Sequence, residues 1–543
     1  MPLHRSLIIL CLAVWLCFSL FAQSKSKSDI DSRQRASPST AGHIFLGSDQ
    51  PCKFPTGGPS LPLTPKIPGD FHSDRKGAER SLENLQCDFD VYSWETFIAL
   101  NWPAKKNGVA DTSIKIGENL DHATVWESWK QVPEVFLASG EQPKPWGSPP
   151  EIPAYWTSRE QKGEVQKIGK HFDIVSAVDD ENYLFLTKIA KGHEWFQTEQ
   201  PFNTGPLIDQ NGQFARFELL MNETMFQYIV DNKLYSREGQ QAFKEDVVFP
   251  CGNFKENVDG TVEVADGRPV TENVGSVVVK AAWKVLSPTE AASGHFHVRK
   301  AIVCTPDDPN ILGKESDRST EHSQHQLLQP TCSVRTMGLV GFHIVHKSQD
   351  VPEWNWSTFE QVDNVPTLGH EHERASYNFY SPQHPELPIN AVPPRPWDPR
   401  TTVIDPKKRS QIVRTIPISR ATQELNAEYQ KRLRSASPKS VWQYYELVST
   451  QWPTRPAVSK RTDPHYCNSK RLSPVDTLGG AAPVFLGNAT LESYIQGTVP
   501  NTSSSCMDCH ANATTTTGAF SDFTYVLDRA GPQPKEQINN GHK

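Results

Sequence analysis

The sequence predicts an α+β fold: a large β-rich core with a mixed or antiparallel sheet, peripheral helices and a short C-terminal segment of separate character. Three observations predict it. Runs that read as strands come in clusters, without the strand–helix alternation of a parallel α/β sheet. Val277, Val279, Ala281, Trp283 and Val285 recur with period two, as on one face of a strand. The chain of 543 residues has 43 Pro, which breaks its apolar runs into short, loop-linked pieces. That length ordinarily means two or more domains. The division we read is residues 1–23, 24–75, 76–495 and 496–543.

The first two segments precede the core. Arg5 is a short basic start, and Leu7 to Phe21 is an uncharged apolar run. Ala22 and Ser24 offer small residues for cleavage. This is the pattern of a secretory signal peptide over residues 1–23, and the apolar run is shorter than a comfortable membrane span. An uncleaved anchor is the competing reading. Residues 24–75 are polar, then rich in Pro and Gly, and read as a disordered or extended leader.

Within the core, residues 76–495, Leu82 to Asn101 reads as a helix stopped by Trp102-Pro103. Tyr183 to Lys188 and Phe214 to Met221 read as strands. Asn222 is placed to cap a helix that starts at Glu223 and buries Met225, Phe226, Ile229 and Val230. Ser276 to Leu286 and Met337 to His346 are further strands. Ser419 to Leu433 carries Ala421, Leu425, Tyr429 and Leu433 on one helical stripe. Val441 to Trp452 is aromatic-rich and mostly β.

The last segment, residues 496–543, contains Cys506-Met-Asp-Cys-His510. C-x-x-C-H is the attachment pattern of c-type haem. Two thiols three positions apart form thioethers with the haem vinyl groups, and the adjacent imidazole, His510, becomes the proximal iron ligand. A CxxC disulfide or half a zinc site is the plain alternative. Zinc needs two more ligands at suitable spacing, and no second CxxC or HxxxH is present. The motif predicts one covalent haem c per chain. The tail after it is too short to bury a haem alone, so the core must supply the other wall. Phe520, Phe523, Tyr525, Val526 and Leu527 are candidates to cover the porphyrin or simply to pack on the core.

No Met follows Met507, so a distal ligand must come from upstream or the position stays open. The leading candidates are His343 and His346, in Gly338 to Lys347, with Gly341 giving room beside His343. On a strand they point to opposite faces, His346 grouping with Val340, Phe342 and Ile344. His295/His297 and His370/His372 are further pairs; each is more simply a structural or surface histidine, and a non-haem metal with Glu371 or Glu373 is the minor alternative. Met221, Met225 and Met337 read as core.

Ten cysteines fit an exported chain. With Cys11 and Cys17 in the signal and Cys506 and Cys509 on haem, the rest are Cys52, Cys87, Cys251, Cys304, Cys332 and Cys467, enough for three disulfides. Proximity in sequence suggests Cys52 with Cys87 and Cys304 with Cys332. The formal charge of −7 is mild for this length and argues against nucleic acid as a partner. Serine-hydrolase, P-loop, HExxH and dinucleotide fingerprints are lacking.

Several stretches resemble a group of uncharacterised bacterial proteins called "cytochrome c family protein". They are Ser93 to Pro103, Val279 to Trp283, Gly338 to Lys347, Trp356 to Asn364, Leu486 to Tyr494, the haem motif, and Asp522 to Leu527. The resemblance covers most of residues 85–530. It implies a periplasmic or secreted protein with one C-terminal haem c on Cys506, Cys509 and His510, and no particular substrate. Three function classes follow. One is electron transfer with a redox partner protein or a small donor or acceptor. The second is a haem-dependent oxidoreductase of peroxidase type with an open distal site. The third is a surface- or polymer-binding protein with an appended haem module.

Overall fold

In the computed structural model, the described residues are 45–149 apart from 53–60, 62, 72, 74–79 and 119–121; 183–185; 201; 204–305 apart from 253, 257–261 and 265–273; 331–398; 401–457; 467–469; 480–497; and 504–533. All of them belong to one compact unit. The expected signal peptide, most of the leader, and residues 186–188 of the expected strand from Tyr183 lie outside the described residues.

The core is a nine-stranded sheet. Its strands are β1 (Lys130–Gln131), β2 (Tyr183–Phe185), β3 (Arg216–Met221), β6 (Val277–Val285), β7 (Val298–Thr305), β8 (Thr331–His346), β9 (Asn355–Gln361), β10 (Tyr445–Pro453) and β11 (Ala481–Ala482). A separate hairpin pairs β4 (Phe254–Glu256) with β5 (Val262–Val264). The main order is β1-β3-β6-β8-β9-β10-β11. β8 is the hub. Its first half pairs with β7 and its second half with β6 on one side and β9 on the other. Eight strands pair antiparallel, and β2 alone runs parallel to its neighbour β7. This is the α+β arrangement expected.

Seven helices are described: α1 (Leu82–Leu100), α2 (Val132–Val135), α3 (Glu223–Asp231), α4 (Arg237–Ala242), α5 (Pro288–Ala292), α6 (Arg420–Ala436) and α7 (Cys506–His510). Their caps follow the sequence. Ser81, Asn222 and Ser419 each accept a backbone N–H in the first turn of α1, α3 and α6. Among the described residues, no helix is long and apolar enough to cross a membrane.

The two sheet faces bury different material. On one, Val277, Val279, Ala281 and Trp283 pack with Phe342, Ile344 and Phe359 against Trp94, Phe97 and Ile98 of α1 and Leu425, Tyr429 and Leu433 of α6. On the other, Val278 and Trp356 pack with Met225, Phe226 and Ile229 of α3 and with Met507, Phe523, Val526 and Leu527 of the C-terminal segment. A register shift between Ala282 and Trp283 breaks the strand period in β8. It turns Val340 to the cluster of Ala282 and Leu491, away from Phe342 and Ile344. The expected common face for these three residues is therefore corrected.

Among the described residues two disulfides are present, Cys52–Cys87 and Cys251–Cys467. The first is a pairing expected from sequence proximity. The second joins residues 216 apart. β7 and β8 set Cys304 directly opposite Cys332 in the backbone register.

Candidate functional site

The Cys506–His510 motif forms the short helix α7. Ser505 caps it by accepting the Asp508 N–H, and Gln451 of β10 accepts the Met507 N–H at 2.8 Å. Met507 is fully buried and fastens the helix to the sheet. Cys506, Cys509 and His510 are half-buried, with Cys506 and His510 packed toward the core. Both thiols are free, whereas the other described cysteines with placed side chains are in disulfides. Burial pushes the Cys509 thiol up to about 11 and the Cys506 thiol well above its ordinary value.

His510 is oriented from behind. Its Nδ1 lies 2.7 Å from the Phe523 carbonyl oxygen. A carbonyl can only accept, so Nδ1 carries the proton and Nε2 carries the free lone pair. The ring sits against Trp356 of β9, centroids 4.5 Å apart, and Tyr525, 5.1 Å. Tyr525 donates from its hydroxyl to the Cys509 carbonyl at 2.9 Å. Burial, partly opposed by the Phe523 carbonyl, lowers the His510 pKa to about 4, so its imidazole is neutral at pH 7. That is the form a metal binds.

A charged cluster faces this motif. Lys280 of β6 and His343 of β8 are register partners across the sheet. Nε2 of His343 stands 3.3 Å from a Glu492 carboxylate oxygen. Burial pushes Glu492 up, but His343 and Lys280 outweigh it, and its carboxyl stays below the ordinary range. Lys280, Glu492 and His343 all act electrostatically on His510.

His343 thus lies on the face that carries the motif. His346 does not. It is buried on the opposite face, with Nδ1 2.5 Å from the Tyr92 hydroxyl of α1. Three residues on a strand reverse the side, so His346 is corrected from distal candidate to a structural histidine. Gly341 also serves another end: a Cβ there would meet Thr490 Oγ1 at 2.1 Å, so the 488–492 turn fills the room expected for a cofactor.

The other predicted residues separate. His297 and Arg299 both pair with buried Glu127, and His295 stacks on Tyr444 beside Asp363. His370 meets Glu373 on the surface. Among the described residues no group of three His, Cys, Asp or Glu side chains is arranged to hold a metal ion, which leaves Glu371 and His372 without that role. Met221, Met225 and Met337 are core. Phe523, Val526 and Leu527 pack into the core, Phe520 lies at its margin, and Tyr525 is exposed next to His510.

Sequence reading missed Lys280, Trp356, Glu492 and Asp522. Lys280 carried a signal, a charge inside an apolar strand. Glu492 and Asp522 carried none, because their partners come from distant segments. No family model, curated protein or solved structure matches this chain.

Proposed function

We propose that the chain is an exported mono-haem c-type cytochrome that transfers electrons, with haem held between the C-terminal segment and the core. The observation that carries this reading is the 2.7 Å contact from His510 Nδ1 to the Phe523 carbonyl. It presents Nε2 as a ligand beside two free thiols at the attachment spacing. Cys506 and Cys509 would attach the haem and His510 would hold its iron; the group supplies a reversible one-electron couple. The protein's residues orient that imidazole and bury one side of the motif. Two disulfides support the periplasmic or secreted assignment, since such bonds persist in oxidising compartments. The partner is a redox protein or a small electron donor or acceptor. His343 is the distal candidate.

The test is maturation in a host with periplasmic haem attachment, followed by a denatured haemochrome spectrum and intact mass. One haem with two thioethers is expected, and colourless protein overturns the reading. Cys506→Ala or Cys509→Ala impairs attachment while the core still folds.

A second reading, a haem-dependent oxidoreductase of peroxidase type, is favoured by the Lys280–His343–Glu492 cluster. An acid–base pair that acts on His510 is more than electron transfer needs. Carbon monoxide binding to the reduced protein indicates the open site of this reading, and failure to bind indicates a six-coordinate electron carrier.

A further inference from the structure

We propose that Asp522 is the positioning residue for His510: its carboxylate, clamped by three distant segments, holds the Phe523 carbonyl on the imidazole. This rests on the haem reading for its purpose but not for its geometry.

Asp522 and Phe523 are consecutive non-glycine residues in the left-handed region, with φ of 52° and 65°. Such backbone is unfavourable for residues with a Cβ and persists where the surroundings enforce it. The enforcing contacts converge on Asp522. Lys347, at the end of β8, forms a fully buried ion pair with its carboxylate. The Phe249 N–H donates to the same oxygen at 2.8 Å, and Ser469 Oγ donates to the other at 2.5 Å. Trp354 Nε1 donates to the Asp522 carbonyl at 3.1 Å. The Cys251–Cys467 disulfide lies two residues from both Phe249 and Ser469 and fastens those two donors together.

All four donors lie outside the C-terminal segment. The local sequence of the motif therefore does not orient its histidine; the core does, through Asp522. With the turn so held, the next carbonyl meets His510 Nδ1 and leaves Nε2 free for iron. The hydrogen bond from Nδ1–H to the Phe523 carbonyl would also make the imidazole a stronger donor to a bound iron, which would favour the oxidised state and lower the potential.

The test compares wild type, Ser469→Ala, and the charge-free double variant Lys347→Met/Asp522→Ala. Long-range 1H–15N spectra of haem-free protein report the His510 tautomer. Wild type is expected to show Nδ1–H alone. The double variant should show a mixture of tautomers and, once loaded, a higher potential; Ser469→Ala should shift both readouts less. A purely structural role would lower the melting temperature but leave the tautomer of the folded variants unchanged, and that result overturns the proposal. Should the double variant not fold, Ser469→Ala decides alone, and an Nε2–H tautomer in wild type overturns the proposal directly. If wild type takes up no haem, the functional reading fails while the tautomer measurement still decides this one.

Discussion

The two faces of the sheet are built from the same strands, and each sets its buried polar groups against different neighbours. Under α1 and α6 lies an aromatic core: Phe97 stacks on Phe359 with centroids 4.2 Å apart, and Trp94 on Tyr429 at 4.9 Å. There the carboxylate Asp90 has uncharged donors, Gln86, Thr422 and Thr450, and Glu127 pairs with Arg299 and with His297, whose ring packs on Trp283 and Trp442. The face under the C-terminal segment pairs Lys347 with Asp522, and His343 with Glu492 across the register from Lys280. Charge under low dielectric is costly unless paired, and both faces pair it. The difference is what the charges face: Glu127 and its partners sit among aromatic rings, whereas Lys280 and Glu492 act on Cys506 and His510. His343 and His346, three residues apart on β8, fall one on each face.

The strongest way to break this comparison is in the aromatic core. Phe97→Ala should cost about 3–5 kcal/mol in denaturant unfolding, because a fully buried ring leaves a cavity. Haem stoichiometry of the folded fraction should stay at wild type. Loss of haem attachment with little change in stability would show that the faces are not separate.

Acid titration sharpens it. Burial lowers the pKa of His346 from 6.5 to about 3. Between those values the unfolded chain binds a proton that the folded protein refuses. Stability from the neutral ring is complete above about pH 6.5 and is lost as pH falls toward 3, with a slope of about 1.4 kcal/mol per pH unit. His346→Gln should flatten the unfolding free energy against pH by that slope, with the haem spectrum unaltered. Equal slopes in the two proteins would remove His346 from the acid response.

Gly341 gives a smaller, directional effect. Gly341→Ala should destabilise by about 1–3 kcal/mol through overpacking against Thr490. Adding Thr490→Ala, which removes the clashing oxygen, should recover part of that in thermal melts. A Gly341→Ala protein of normal stability that fails to take haem would return this glycine to the cofactor.

The smallest effect belongs to the cap of the motif helix. Ser505→Ala should cost about 1 kcal/mol locally and lower the yield of haem attachment without changing the spectrum of the attached product. An unchanged yield would mean that Gln451 alone suffices to hold the turn.

Much of this was legible in the chain because it is local. Period-two runs announced β6 and the second half of β8, the Asn222 cap marked α3, and the stripe from Ala421 to Leu433 marked α6. The Cys506–His510 motif stood out for the same reason: three groups within five residues share one helical turn. A bulge was not legible, because one inserted residue leaves no compositional trace, and it moved Val340 to the other face. The Cys251–Cys467 bond was not legible either, since pairing over 216 residues depends on where the chain returns.

By itself, then, the sequence determined the longer strands and helices, the alternation that puts His343 and His346 on opposite sides, and the spacing of Cys506, Cys509 and His510. Only the tertiary structure decided which side meets the motif, that Lys280 and Glu492 join His343 there, and that Lys347 reaches Asp522. The physical reason is range. Helix caps and strand alternation are settled by neighbours a few residues away, whereas a buried charge pair and the carbonyl that orients His510 are settled by which distant segments share one dry space.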